Sequence, residues 1–279
     1  MAVIVKHAYP TGTTLDDINF DFTQERQEPD YASLDARIVE EQKRKTAELV
    51  TDRKIDDNPL FTLLGFDGNR VSLAYSTYGT YKTYKSLIED KTRLRPQSTY
   101  DLCSLIIELI TADNFLVLGY RKGEHLGGKY LAPAGFTNFD AKERLVEGRK
   151  VLESKERFDT TRGIRSYFQG KTQKELREEV GLLLEDWSQP QKDKPKGCPI
   201  RVTGLGADTN DSFLTVLNLS VTTNLSRDEV QWAYENAGNP GEHPHLIYLP
   251  NDPDHIKQFI LGKYSGEVGT TRRPICFAN

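Results

Sequence analysis

Glu175, Glu178 and Glu179 occur within "TQKELREEVGL", residues 172–182. On an α-helix each residue turns by about 100°, so positions i, i+3 and i+4 share one face. Three carboxylates on one face repel each other unless water, basic neighbours or a cation offsets their charge. Oxygen ligands in that arrangement suit a hard ion such as Mg2+ or Mn2+. Such an ion polarises a phosphoryl group and makes a bound water a better nucleophile. Leu176 and Val180, four residues apart, can anchor another face of the same helix in a core. Lys-Glu-Leu-Arg-Glu-Glu is also a common composition for an exposed helix, so the surroundings must decide. Gly181 directly after the acidic stretch permits a tight exit, and Pro133-Ala134-Gly135-Phe136 upstream forms a turn able to approach a ligand closely.

The elements around these residues read as a mixture of strands and helices. Residues 1–30 look like a loose or strand-like arm. Ser33 is placed to cap a helix to about residue 50, with Leu34, Ile38 and Leu49 among many charges. Two strands flank Asp67-Gly68-Asn69, a hairpin signal. "YSTYGTYKTYKSL" is rich in tyrosines that suit core packing better than a ligand site. "LCSLIIELI" and "NFLVLGYRK" read as apolar strands joined at Asp113-Asn114. Two further strands are expected in "RVTGLGADTNDSFLTVLNLSVTTNL" and another in "PHLIYLP". Ser226 to Glu229 forms a capping box for a helix through about Ala237, and Asp252-Pro253 opens a last helix.

With these neighbours the acidic stretch resembles the second half of the Nudix hydrolase signature, G-x5-E-x7-R-E-U-x-E-E-x-G-U, where U is a bulky aliphatic residue. Lys174 to Leu182 matches every fixed place except the first, where Lys174 replaces arginine. Gly135 matches the opening glycine. The signature separates that glycine from its arginine by 14 positions; here the separation is 174 − 135 = 39, which implies an insertion of about 25 residues. The signature's upstream glutamate falls on Ala141, with Glu143 or Glu147 as stand-ins. The order of segments over residues 58–262 is similar to a large subgroup of the family that includes an animal UDP-glucose pyrophosphatase.

The resemblance implies an α/β fold: a Nudix-type α/β/α sandwich with a mixed β-sheet. It would comprise residues 98–279, with an insertion at about 140–171. Residues 1–97 would be an N-terminal α+β extension, a helix plus a β-hairpin, packing on it. Glu175, Glu178 and Glu179 would bind Mg2+ or Mn2+ near Gly135, with Glu175 also positioning or deprotonating the attacking water. Lys174 would hold a carboxylate. Glu242, before the "PHLIYLP" strand, is the candidate for a further catalytic acid. The implied reaction is hydrolysis of a nucleoside diphosphate conjugate, foremost a UDP-sugar, to a nucleoside monophosphate and a sugar phosphate. ADP-ribose and dinucleotides remain open as substrates, as does a Nudix-fold module that binds nucleotides without hydrolysing them.

The insertion carries ten Lys or Arg against five Asp or Glu over 141–174. Arg144, Arg162 and Arg165 are therefore candidates to grip a diphosphate, as is Arg121 at the end of its strand. His243 and His245 read as structural or solvated. Thirty-seven basic residues against 41 acidic give a formal net charge of −4, which argues against bulk nucleic-acid binding. Cys103, Cys198 and Cys276 have no C-x-x-C spacing, so neither a zinc site nor a disulfide framework is supported. No stretch approaches 18 apolar residues and no basic leader with an apolar core opens the chain. A cytoplasmic protein acting on a small molecule, away from membranes, is the expectation.

Overall fold

The computed structural model describes residues 3–32, 34–89, 101–121, 129–154, 158–182, 200–208, 214–237 and 243–261. Thirteen strands join in one mixed sheet. Its main path runs β1 (Val3–Ala8), β11 (Arg201–Asp208), β12 (Leu214–Thr222), β5 (Asp101–Ile110), β3 (Pro59–Asp67), β4 (Arg70–Thr77), β2 (Asn19–Arg26), β10 (Arg149–Ser154) and β9 (Ala141–Val146). Off this path, β6 (Phe115–Arg121) pairs with β5, β7 (Lys129–Leu131) and β13 (His245–Pro250), while β8 (Ala134–Phe136) pairs with β5. The β5–β12 and β2–β4 pairs are parallel and the others antiparallel.

β5 organises the layers because both of its faces are covered. Cys103, Leu105, Ile107 and Leu109 join the main core with Ile164, Phe168, Leu176 and Val180 of helix α3 (Thr161–Val180). Val230 and Tyr234 of α4 (Arg227–Asn236) complete that side. Alternation along a strand sends the intervening residues to the other face. There Leu102 packs with Tyr81 and Tyr84 of α2 (Tyr78–Glu89). Ile106 packs with Leu116, Leu118 and Phe259, the last from α5 (Pro253–Ile260). The protein is thus a mixed α/β structure with helices on both faces of a large sheet.

The 1–30 segment takes the strand-like form of the arm expected of it, and both of its strands join the sheet. β1 pairs antiparallel with β11, and β2 lies parallel to β4. These partners are remote in sequence, so only tertiary pairing reveals β1 as an edge strand and β2 as an interior member of the sheet. The first helix, α1 (Ala36–Thr51), is capped by Asp35, whose side chain accepts from the Arg37 amide at 2.8 Å; Ser33, the expected cap, lies outside the described residues. The tyrosine-rich segment forms α2, with Tyr81 and Tyr84 buried as packing residues. The charged insertion folds as the β9–β10 hairpin followed by the first half of α3. Among the described residues no helix is long and apolar enough to cross a membrane.

Candidate functional site

Helix α3 is twenty residues long and carries the acidic stretch in its last two turns. Thr160 caps its start by accepting from the Gly163 amide at 3.1 Å. Gly181 ends it at φ 74°, a left-handed conformation that favours glycine. Its inward stripe reads Ile164, Phe168, Lys171, Thr172, Glu175, Leu176, Glu179 and Val180. Two acids and a lysine therefore sit in the middle of the face that anchors the helix to the sheet.

For Glu175 and Glu179 this geometry excludes an exposed acidic surface. Glu175 is 7% exposed and Glu179 6%. Charged groups at that depth require compensation. Lys171, itself buried, holds Glu175 Oε1 with Nζ at 2.5 Å and donates to Asn138 Oδ1 at 2.9 Å. Glu179 is held differently: its Oε2 accepts from the Ala134 amide at 3.1 Å and lies 3.2 Å from His243 Nε2. A carboxylate can only accept, so Nε2 carries the donated proton. Burial pushes the Glu175 carboxyl above its ordinary pKa, opposed by Lys171 and reinforced by Glu179 and Glu178.

Two glycines clear the space. β8 pairs with β5 so that Gly135 stands opposite Leu105. A Cβ built on Gly135 would lie 2.4 Å from the Glu175 carboxyl carbon, so the strand approaches this closely only because the position is glycine. On β6 a Cβ at Gly119 would lie 2.4 to 2.6 Å from the His243 ring. The Tyr234 hydroxyl donates to the His243 carbonyl and fixes that histidine from behind.

Of the predicted site residues, the structure brings Glu175, Glu179 and Gly135 together. Glu178 does not share their environment: its side chain is 57% exposed and lies 3.8 Å from Lys174 Nζ. The three acids span about 100° of the helix circumference, and Glu178 is on the outer margin. Glu242 lies outside the described residues. Lys174 holds Glu178 only loosely, and the tight grip on a buried carboxylate comes from Lys171 instead. Neither stand-in for the upstream glutamate is near. Glu143 is clasped by Arg26 Nη1 at 2.8 and 2.9 Å on β9, and Glu147 is at the hairpin tip.

The arginines divide by position. Arg121 shares with Gly119 and Val117 the side of β6 that faces α3, by strand alternation. Arg162 is exposed in the first turn of α3, about 20 Å along the axis from Glu175. Arg165 is about 15 Å away and donates through Nε and Nη2 to the Ile18 carbonyl at 2.9 and 2.7 Å, tying the helix start to the chain before β2. Arg144 is exposed on β9, with β3, β4, β2 and β10 between it and β5, roughly 24 Å at ordinary strand spacing.

Lys171 and His243 were missed by sequence reasoning. The i, i+4 spacing of Lys171 and Glu175 was a signal for the first. His243 lies 64 residues from Glu179, and no local pattern joins them. The donor set fits a hard divalent ion. Glu175 Oε2 and Glu179 Oε1 have no hydrogen-bond partner among the described residues, and both are carboxylate oxygens. Among the described residues no three His, Cys, Asp or Glu side chains are gathered into a ready ligand cluster, in keeping with the outward turn of Glu178.

No protein-family model matches the chain, and no curated protein matches it. Solved structures do match, among them a MutT/nudix family protein from Enterococcus faecalis at 12% identity. The match covers 60% of this chain and 50% of that one, with a TM-score of 0.24. This chain thus spans half the length of that protein. A likeness of this size leaves the functional argument to the geometry of α3 and β8.

Proposed function

We propose that the protein is a Nudix-type hydrolase that cleaves a phosphoric anhydride bond in a nucleoside diphosphate conjugate with the help of Mg2+ or Mn2+. The observation that carries this reading is the burial of Glu175 and Glu179 side by side against a strand that only glycine lets approach. A solvated helix surface has no need of that clearance. The signature from Lys174 to Leu182 supports the same class of reaction. Within the class, a UDP-sugar is the leading substrate because of the segment order over residues 58–262; ADP-ribose and dinucleotides share the linkage.

A divalent ion held at Glu175 Oε2 and Glu179 Oε1 would neutralise phosphate charge and acidify a bound water. Ala134 N–H and His243 Nε2 fix the Glu179 carboxylate from the far side, so its free oxygen points one way. Lys171 does the same for Glu175. With Glu175 Oε2 given to the ion, Glu175 would position the attacking water, whose proton passes to solvent once the ion has acidified it. A new O–P bond forms, the bridging P–O–P bond breaks, and the leaving phosphate departs with the bridging oxygen. Arg121, on the same side of the sheet, would meet phosphate charge at the edge of the site.

The outward turn of Glu178 and the engagement of Lys171 with Glu175 favour a second reading, a nucleotide-binding module without hydrolysis. A panel of nucleoside diphosphate conjugates, incubated with purified protein and Mg2+ or Mn2+, separates the two, with products identified by mass. Hydrolysis to a nucleoside monophosphate is the expected outcome. Glu179→Gln should lower kcat by roughly two orders of magnitude while the thermal midpoint holds. Unchanged turnover in that variant rejects the site, and tight binding of a conjugate without cleavage selects the module.

A further inference from the structure

We propose that the site takes a single divalent cation in the absence of nucleotide, with Lys171 standing as a built-in positive charge where a second ion would otherwise sit. This rests on the reading of Glu175 and Glu179 as the cation site and adds its capacity.

The oxygens set the first limit. Two adjacent carboxylates offer four. Glu175 Oε1 is occupied by Lys171 Nζ at 2.5 Å, and Glu179 Oε2 by Ala134 N–H and His243 Nε2 at 3.1 and 3.2 Å. One oxygen of each remains. Paired divalent ions stand about 3.5–4 Å apart. Neither glutamate can span two such ions with both of its oxygens while one oxygen is committed. Glu178, the remaining acid of the stretch, is turned to solvent beside Lys174.

Charge sets the second limit. Glu175 and Glu179 contribute two negative charges and Lys171 one positive. These three sum to one negative charge. A first divalent ion takes the total to one positive, and a second would take it to three positive in a poorly solvated place, where repulsion is strong. Lys171 is anchored for this role. Its ammonium also donates to Asn138 Oδ1 at 2.9 Å, and the Asn138 carbonyl accepts from the Tyr167 hydroxyl at 3.0 Å. The ammonium is thus held from both sides rather than swinging out to water.

Mn2+ titration of the metal-stripped full chain without nucleotide, followed by the electron paramagnetic resonance of free Mn2+, counts the ions. The wild type should bind one ion per chain tightly. Lys171→Met keeps the buried stem, removes the charge, and should bind that ion about tenfold more tightly or better. Lys171→Arg keeps the charge and should stay near the wild type. A purely structural lysine predicts the opposite for Lys171→Met: weaker binding and a lower thermal midpoint. Two or more tight ions on the wild type overturn the single-ion inference but leave the hydrolase reading standing. Weaker binding by a folded Lys171→Met also overturns it. Should Lys171→Met fail to fold, the wild-type count decides. A wild type that binds no Mn2+ and hydrolyses nothing overturns the functional reading itself.

Discussion

Glu175 and Glu179 are one turn apart, yet they meet the cost of burial by different means. Glu175 is matched by a formal charge, Lys171, whereas Glu179 is matched by the Ala134 amide and the His243 ring. Glu108 is a third acid under burial, on the other face of the sheet, and among the described residues it has neither kind of help. It stands opposite Ser220 in the parallel β5–β12 pair, and burial alone pushes its pKa up from 4.5 to about 7. The folded protein therefore binds this proton more tightly than the unfolded chain does. The resulting stability is fully present below about pH 4.5 and is lost as pH rises through 7. Glu108→Gln removes the titration. Its stability relative to wild type should rise between pH 5 and pH 8, by up to about 3 kcal/mol. Urea unfolding at the two pH values measures the difference. An identical offset at both would show that Glu108 ionises as freely folded as unfolded.

Helix α3 shows which parts of an element can be read before it folds. The helical repeat alone put Glu175 beside Glu179 and Leu176 beside Val180, but did not show that both pairs share one inward stripe while Glu178 turns to solvent. The helix start was not legible either. Arg162, Arg165 and Lys171 looked like part of a basic excursion because they fall inside the interruption between Gly135 and Lys174. In the structure that interruption is a hairpin followed by three helical turns, and Lys171 belongs to the inward stripe. Gly135 was recognised by type, but its purpose is visible only from the 2.4 Å that a Cβ would leave to Glu175. Gly135→Ala must displace either the Glu175 carboxylate, gripped by Lys171, or β8, paired to β5. The expected cost is about 1–3 kcal/mol of stability, together with weaker Mn2+ binding. Gly170→Ala is the matched control on α3, exposed and with nothing within 4 Å of an added Cβ. It should stabilise by about 1 kcal/mol and leave Mn2+ affinity unchanged. Chemical denaturation with parallel Mn2+ titration checks both. Equal metal affinity in the two variants would mean that Gly135 is not part of the site.

At the scale of the whole molecule, strand order overrides distance along the chain. β1 to β4 enter the same sheet as the strands that follow them, an arrangement that pairings between remote segments hide from a reading of local pattern. The same ordering separates residues that sequence placed together. Arg144 is nine residues from Gly135 in the chain, but its strand is at the far end of the sheet, and the hairpin is tied to β2 through Arg26 and Glu143. Arg121 is 54 positions before Glu175, yet β6 carries it on the side of the sheet that α3 covers. A side chain reaches only a few ångströms beyond its backbone, so of Arg121 and Arg144 only Arg121 is placed to meet the diphosphate proposed above. Arg121→Ala should raise KM for the hydrolysed conjugate by about tenfold, the order expected for one charge-assisted hydrogen bond to phosphate. Arg144→Ala should leave KM near the wild-type value, since roughly 24 Å of sheet lies between it and β5. Steady-state kinetics on both variants tests the placement. If Arg144→Ala raised KM while Arg121→Ala did not, the substrate would have to lie across the hairpin, and the site would be elsewhere than between α3 and β8.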